Sequence, residues 1–251
     1  MIIIKELLLQ LAVIILPIFI YFTFIVEKVE SERNRRFILT ALCGISIIMC
    51  MTFPYIYGEY TRLDFRSIPF LGVILYGGIW PGLFFSGVII GYRLLFGMDA
   101  GFYSTIVTLL LTVPVFFLYR RTFEQAKSDK RVIIATVLSF YYCIVGIAIV
   151  LFFRGPTSEL LIIQALHLVI IVSGTWALTV LVEKIREIHK LRLEVQNAER
   201  LRVVSQLTGV FAHEIRNPMQ VTRGFLQLLN ASDLPAKNKE YINLSIEELD
   251  R

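Results

Sequence analysis

Histidine and cysteine are scarce, with three of each in 251 residues. Cys43, Cys50 and Cys143 all stand in apolar runs, with no CxxC pair and no metal-ligand spacing. That pattern fits thiols packed within a membrane and argues against a disulfide framework or a metal centre. No internal repeat is visible. No cleavable leader is expected either. Leu7 to Val26 is too long for a signal-peptide core and has neither a basic start nor a small-residue cleavage site. It reads as a retained span, with Pro17 as a candidate kink. The loops between apolar runs are too short to fold an external ligand-binding domain.

What the chain has in abundance is apolar surface. It is 56% hydrophobic with a mean hydropathy of +0.69, far above a soluble globular protein. The net charge is +5, and much of the excess sits in short loops between apolar runs, where it sets orientation in a bilayer; no nucleic-acid partner is expected. Long apolar runs fill residues 1–182, and charge becomes dense from Glu183 to Arg251. The expected fold is all-α: a polytopic transmembrane helix bundle, then a cytoplasmic helical hairpin that dimerises into a four-helix bundle.

Seven crossings are expected within the 1–182 sensor domain, at 7–26, 37–56, 68–80, 82–96, 101–119, 132–153 and 160–182. The third and fourth are short, because Gly77-Gly78-Ile79-Trp80-Pro81-Gly82 breaks the run. They read either as two short or tilted spans or as one re-entrant hairpin. The loops at 27–36 and 120–131 are the most basic and should be cytoplasmic. Those at 57–67, 97–100 and 154–159 should lie outside. Seven crossings then put the amino terminus outside and the tail at Glu183 inside, as a multi-pass protein of the cell membrane.

Val204 to Leu229 reads as a single amphipathic helix. Val204, Thr208, Phe211 and Ile215, then Met219, Thr222, Leu226 and Leu229, recur at spacings of three and four. At about 100° per residue, His213 lies roughly 200° from that stripe, so its imidazole should face water. Asn217 shares its face, Glu214 is turned about 100° aside, and Pro218 should bend the helix just beyond. A neutral imidazole is a good nucleophile near pH 7, and an adjacent carboxylate can take its proton, so the arrangement suits phosphoryl transfer to nitrogen. His213-Glu214-Ile215-Arg216-Asn217-Pro218 resembles the phosphoacceptor motif of bacterial sensor histidine kinases. Gln220 to Leu229 is similar to the sporulation-kinase branch. The resemblance implies phosphorylation of His213, with Glu214 as general base and Asn217 positioning a water or a phosphate oxygen. It also implies ATP and Mg2+ as substrate and a response-regulator receiver domain as partner.

Residues 63–121 carry a second resemblance. Asp64-Phe65-Arg66-Ser67-Ile68-Pro69, Gly77-Gly78, Tyr92-Arg93 and Gly97-Met98-Asp99-Ala100-Gly101 resemble the five-transmembrane receptor of autolysin-regulator kinases, although that family often has Gly-Gly where this chain has Gly97-Met98. The resemblance implies a sensor embedded in the membrane. Asp64, Arg66, Arg93 and Asp99 are candidate sensing residues, because ionisable groups at membrane depth are costly and often functional. Against this, Arg93 can snorkel and Asp99 can simply solvate a turn. His167 is expected to make an interhelical hydrogen bond, with proton or metal sensing as the alternative.

Ile188, Leu191, Val195, Ala198 and Leu201 follow a seam spacing, so 183–201 is expected to be a coiled-coil signalling helix. Asn230 to Asp233 should end the phosphoacceptor helix, and Pro235 should open another, striped by Ile242, Ile246 and Leu249. One hairpin cannot bury both stripes, so 202–251 should pair with a second copy as a homodimer. No nucleotide-binding boxes follow, so the chain is expected to accept a phosphoryl group without itself holding ATP. A fragment of a longer kinase and a non-catalytic receptor that modulates full-length kinases are both open. A transporter with a regulatory tail is the third reading, suggested by the broken run at 68–96.

Overall fold

The computed structural model describes residues 2–21, 23, 29, 31–57, 61–230 and 235–249. Lys28 and Glu59, counted in two expected loops, and residues 231–233 of the stretch expected to end the phosphoacceptor helix, lie outside the described residues. The chain divides into two units, Met1–Arg186 and Glu187–Arg251.

In the first unit the apolar runs are helical: α1 (Ile2–Ile20), α2 (Glu32–Thr52), α3 (Ser67–Gly72), α4 (Ile79–Leu94), α5 (Ala100–Gln125), α6 (Ser128–Arg154) and the first part of α7 (Ser158–Asn230). Among the described residues, α5, α6, α7 and Arg33–Thr52 of α2 are long and apolar enough to cross a membrane. Leu9–Ile20, Ser67–Gly77 and Ile79–Leu94 are apolar but shorter. Large apolar side chains such as Trp80, Phe84, Leu110, Leu118 and Phe152 are exposed on the outer faces. Such a surface is tolerable in lipid and not in water. Thr108, Thr112 and Thr179 donate to carbonyls four residues earlier, which satisfies their hydroxyls without water.

Two boundaries differ from expectation for a local reason. α2 stops at Thr52, four residues before the expected end of that span. Pro54 disfavours the helical conformation at the residue before it, and Phe53 has φ −118° and ψ 59°. The chain then forms a short antiparallel ribbon, β1 (Tyr55–Tyr57) with β2 (Thr61–Leu63), pairing Ile56 with Arg62. It takes Tyr55 and Ile56 from the end of the expected second span and part of the polar loop expected after it, and is a small β element in an otherwise helical fold.

The broken run forms a helical hairpin. α3 leads into a π-helical turn at Val73–Gly77, closed by the Gly78 N–H donating to the Val73 carbonyl at 3.1 Å. Gly78 then turns the chain at φ 119°, a conformation reserved for glycine. The break is confined to this residue. Pro81 falls in the first turn of α4, where a missing N–H costs nothing. Gly78 lies beside Arg120, and Arg93 near the other end of α4 meets Asp99 at the start of α5. The α4 arm therefore runs antiparallel to α5 along most of its length.

The core has two apolar clusters. One joins Leu39, Cys43 and Ile47 to Phe70, Ile74, Val113 and Phe116. The other joins Ile14, Ile18, Cys50, Phe65 and Ile68 to Cys143 and Ile171. All three cysteines are free and buried.

The second unit comprises the rest of α7 and α8 (Ala236–Leu249). The Asn230 side-chain amide donates to Asn243 Oδ1 at 2.8 Å, tying α7 to α8. Leu226, Ile242, Ile246 and Leu249 are half-buried, whereas Val204, Phe211 and Ile215 are largely exposed.

Candidate functional site

In the second unit α7 runs without interruption through His213 and Pro218. The side chain of His213 lies outside the described residues; Glu214 and Asn217 are exposed. Thr222 donates to the Pro218 carbonyl at 2.8 Å. The exposed Phe211 and Ile215 on this helix form an apolar strip that one chain leaves uncovered.

In the first unit three of the four candidate sensing residues, Asp64, Arg66 and Arg93, line one cavity of about 120 Å³. Asp64 and Arg66 pair at 3.4 Å, and the Arg66 backbone N–H also donates to Asp64 Oδ1 at 3.2 Å. A guanidinium nitrogen of Arg66 donates to Thr105 Oγ1 at 3.2 Å. The fourth, Asp99, caps α5 by accepting from the Phe102 N–H at 2.8 Å. It also approaches Arg93 at 3.7 Å, so it acts on the cavity through that arginine. Arg93 is buried within this unit.

The cavity has further walls that the sequence reading did not join to it. Arg62 comes from the ribbon, Arg154 from the end of α6, and Gln164 and His167 from α7. His167 Nε2 donates to the Asp64 carbonyl at 3.2 Å and its ring stacks on Phe65. The expected partner was another helix; the bond instead goes to the segment between the ribbon and α3. The available signal was a polar residue on the buried face of an apolar helix. Leu160, Gln164, Ile171, Thr175 and Thr179 recur at helical spacing and are all buried.

A second polar cluster lies within the same unit, near the Gly78 turn. Glu183, only 5% exposed, accepts from Tyr76 at 3.0 Å and pairs with Arg131 at 3.4 Å and Arg186 at 3.6 Å. Arg186 also lies over the Tyr76 ring at 4.5 Å. No group of three or more metal-ligating side chains occurs among the described residues.

One unit is sheathed in apolar helices, several of them long enough to cross a membrane, and the other is built of two helices tied at Asn230 and Asn243 and carries Glu214 next to His213. Residues 203–251 match the His Kinase A (phospho-acceptor) domain family, and the chain resembles the membrane sensor histidine kinases. It is 29% identical to sporulation kinase B of Bacillus subtilis, across 99% of this chain and 60% of that protein. It is 26% identical to the sensor protein DegM of a Bacillus species, across 82% of this chain and 55% of that protein. The signal transduction histidine-protein kinase AtoS of Escherichia coli shares 36% identity across 21% of this chain and 9% of its own length. The chain thus spans about three fifths of the first of these relatives. No solved structure matches it.

Proposed function

We propose that the chain is the sensing and phosphoacceptor portion of a membrane sensor histidine kinase in a two-component or phosphorelay system. The observation that carries the reading is the phospho-acceptor family match over residues 203–251, in a chain whose other unit has span-length apolar helices. His213 takes the γ-phosphoryl group of MgATP: a ring nitrogen forms the bond to phosphorus, and ADP leaves. Glu214 accepts the proton from the other ring nitrogen, and Asn217 positions a water or a phosphate oxygen. The phosphoryl group then passes to an aspartate of a response-regulator receiver domain. Similarity to sporulation kinase B supports a relay towards sporulation.

The cavity lined by Asp64, Arg66 and Arg93 does not fit a nucleotide. The cavity in the first unit is small and sits among apolar helices, so ATP is held by a separate nucleotide-binding domain, in cis or from a partner. The exposed apolar strip at Val204, Phe211 and Ile215 supports a homodimer. The basic loops support a cytoplasmic tail and an outward-facing ribbon. Asp64, Arg66, Arg93 and Asp99 then form part of a sensing site at the outer end.

The test is phosphotransfer. The chain is joined to the nucleotide-binding domain of sporulation kinase B, labelled with radioactive ATP and mixed with an isolated receiver domain. Label should move from the membrane protein to the receiver, and the receiver's Asp→Ala variant should receive none. A chain that never charges the receiver refutes the relay.

A further inference from the structure

We propose that the Tyr76–Glu183 bond is a release joint: while it is made it holds α7 against the hairpin arm Ser67–Gly78, and its opening, driven from the π-helical turn that carries Tyr76, frees α7 to turn. The effect on output rests on the reading of α7 as the helix that carries the phosphoacceptor His213. The joint itself does not.

The arm and α7 are pinned at two levels. At one level His167 Nε2 donates to the Asp64 carbonyl at 3.2 Å and its ring stacks on Phe65, just before the arm begins. At the other level Tyr76 donates to Glu183 at 3.0 Å. Between the two, a Cβ at Gly174 would lie 3.0 Å from Ile68 Cδ1, and glycine presents none. α7 therefore passes close to the arm at that point without a side chain to interlock, and the polar contacts at the two levels set its rotation.

The arm contains an element with a second geometry. A π-helical turn is rare and takes in about one residue more than an α-helical turn. Here it is closed by the Gly78 N–H on the Val73 carbonyl. Closing it four residues back instead releases one residue, a rotation of about 100° and a shift of about 1.5 Å. Tyr76 lies within the turn, so the change carries its hydroxyl away from Glu183. A rare backbone geometry persists where its surroundings over-determine it, and Tyr76 supplies much of that restraint. Its ring meets Phe123 edge-on at 5.1 Å, and Arg186 lies over it at 4.5 Å. Thr40 of α2 adds to it, with Oγ1 only 2.6 Å from where a Cβ of Gly77 would stand.

Opening leaves each charge with a partner. Arg186 pairs with Glu183 at 3.6 Å from three residues on along the same helix, so that pair travels with α7. Arg131 loses Glu183 but keeps the Phe123 carbonyl at 3.1 Å and the Glu124 carbonyl at 2.8 Å. What breaks is one hydrogen bond and one ion pair, a change small enough to reverse. Each charged group thus has a second contact on its own side of the joint, which a cluster built for stability alone does not require. α7 continues from Glu183 to His213 as one helix, so a turn at the joint enters the output element itself.

The test measures the position of α7 directly. The full chain, with its three cysteines replaced by alanine, carries spin labels at Leu118 of α5 and Leu181 of α7, both exposed, and is placed in lipid discs. Tyr76→Phe keeps the ring under Arg186 and removes the hydroxyl alone. It should shift the populations of two Leu118–Leu181 distances by about five- to thirtyfold, the worth of one hydrogen bond. Glu183→Gln should shift them the same way. Labels at Leu110 of α5 and Val137 of α6, also exposed, should keep one distance in every variant and so separate a turn of α7 from general loosening. An unchanged Leu118–Leu181 distribution in both variants, or an equal change at the control pair, overturns the joint. Joined to a nucleotide-binding domain, both variants should change the rate of labelling at His213 in the same direction. A second distance with labelling at the parent rate overturns the regulatory role. A parent chain that takes no label refutes the phosphoacceptor reading, and the distances still decide the joint.

Discussion

The Tyr76 hydroxyl donates a hydrogen bond of 3.0 Å to Glu183, joining residues 107 positions apart. Tyr76 belongs to the π-helical turn before Gly78, and Glu183 follows the last apolar stretch of α7. Glu183 also meets Arg131 and Arg186, so the carboxylate gathers the hairpin turn, α6 and α7 at one point. A buried carboxylate with a hydroxyl donor and two guanidinium partners has its needs met, and removing one partner leaves the others exposed to an apolar setting.

Tyr76→Phe should therefore lower stability by about 1–2 kcal/mol through loss of one hydrogen bond to a charged acceptor. Glu183→Gln should cost more, because it removes the charge that pairs with both Arg131 and Arg186. The double variant should cost less than the sum of the two, with a coupling of about 0.5–3 kcal/mol. Thermal unfolding in lipid discs measures this; strictly additive effects would show that the pair does not act as a unit.

Gly78→Ala should destabilise the membrane unit by about 1–3 kcal/mol, since φ 119° is open to glycine alone. The same measurement on Gly146→Ala is the control, because nothing lies within 4 Å of a Cβ built there. Equal effects at both glycines would contradict the strained turn.

Reporter fusions after Ser128 and after Leu201 should both read cytoplasmic. Ser128 opens α6 beside the basic segment, and Leu201 lies well beyond the apolar part of α7. An external signal at either position would invert the assignment of the cavity to the outer end.

A single cysteine at Val204 should cross-link two copies in membranes, because that side chain is 60% exposed in one chain and lies on the apolar stripe. A cysteine at Leu226, half-buried within the second unit, should cross-link less readily. A monomer in membranes and in mild detergent alike would remove the dimer from the account.

The legible features of the sequence were local. His213, Glu214 and Asn217 sit within five residues, and charges such as Asp64, Arg66 and Arg93 stand out against apolar neighbours because each is expensive there. What joins them was not legible. Gln164 lines the same cavity as Arg66 because α7 meets the segment after the ribbon at His167 and Asp64, and nothing in either stretch names the other. Tyr76 and Glu183 are hidden for the same reason. The ribbon was missed because three-residue strands are too short to display an alternating pattern, although Pro54 marked the end of α2.

The central claim is that His213 accepts a phosphoryl group, and the most direct measurement is mapping of the label. The chain, supplied with MgATP and a kinase nucleotide-binding domain in cis or from a partner, is treated with acid and with base and then mapped by mass spectrometry. The account expects an acid-labile, base-stable phosphoryl group on His213, slowed about a hundred- to ten-thousandfold by Glu214→Gln and absent in His213→Gln. Residues 1–251 alone should take up no label. Label that survives His213→Gln, or label on the isolated chain, would contradict it.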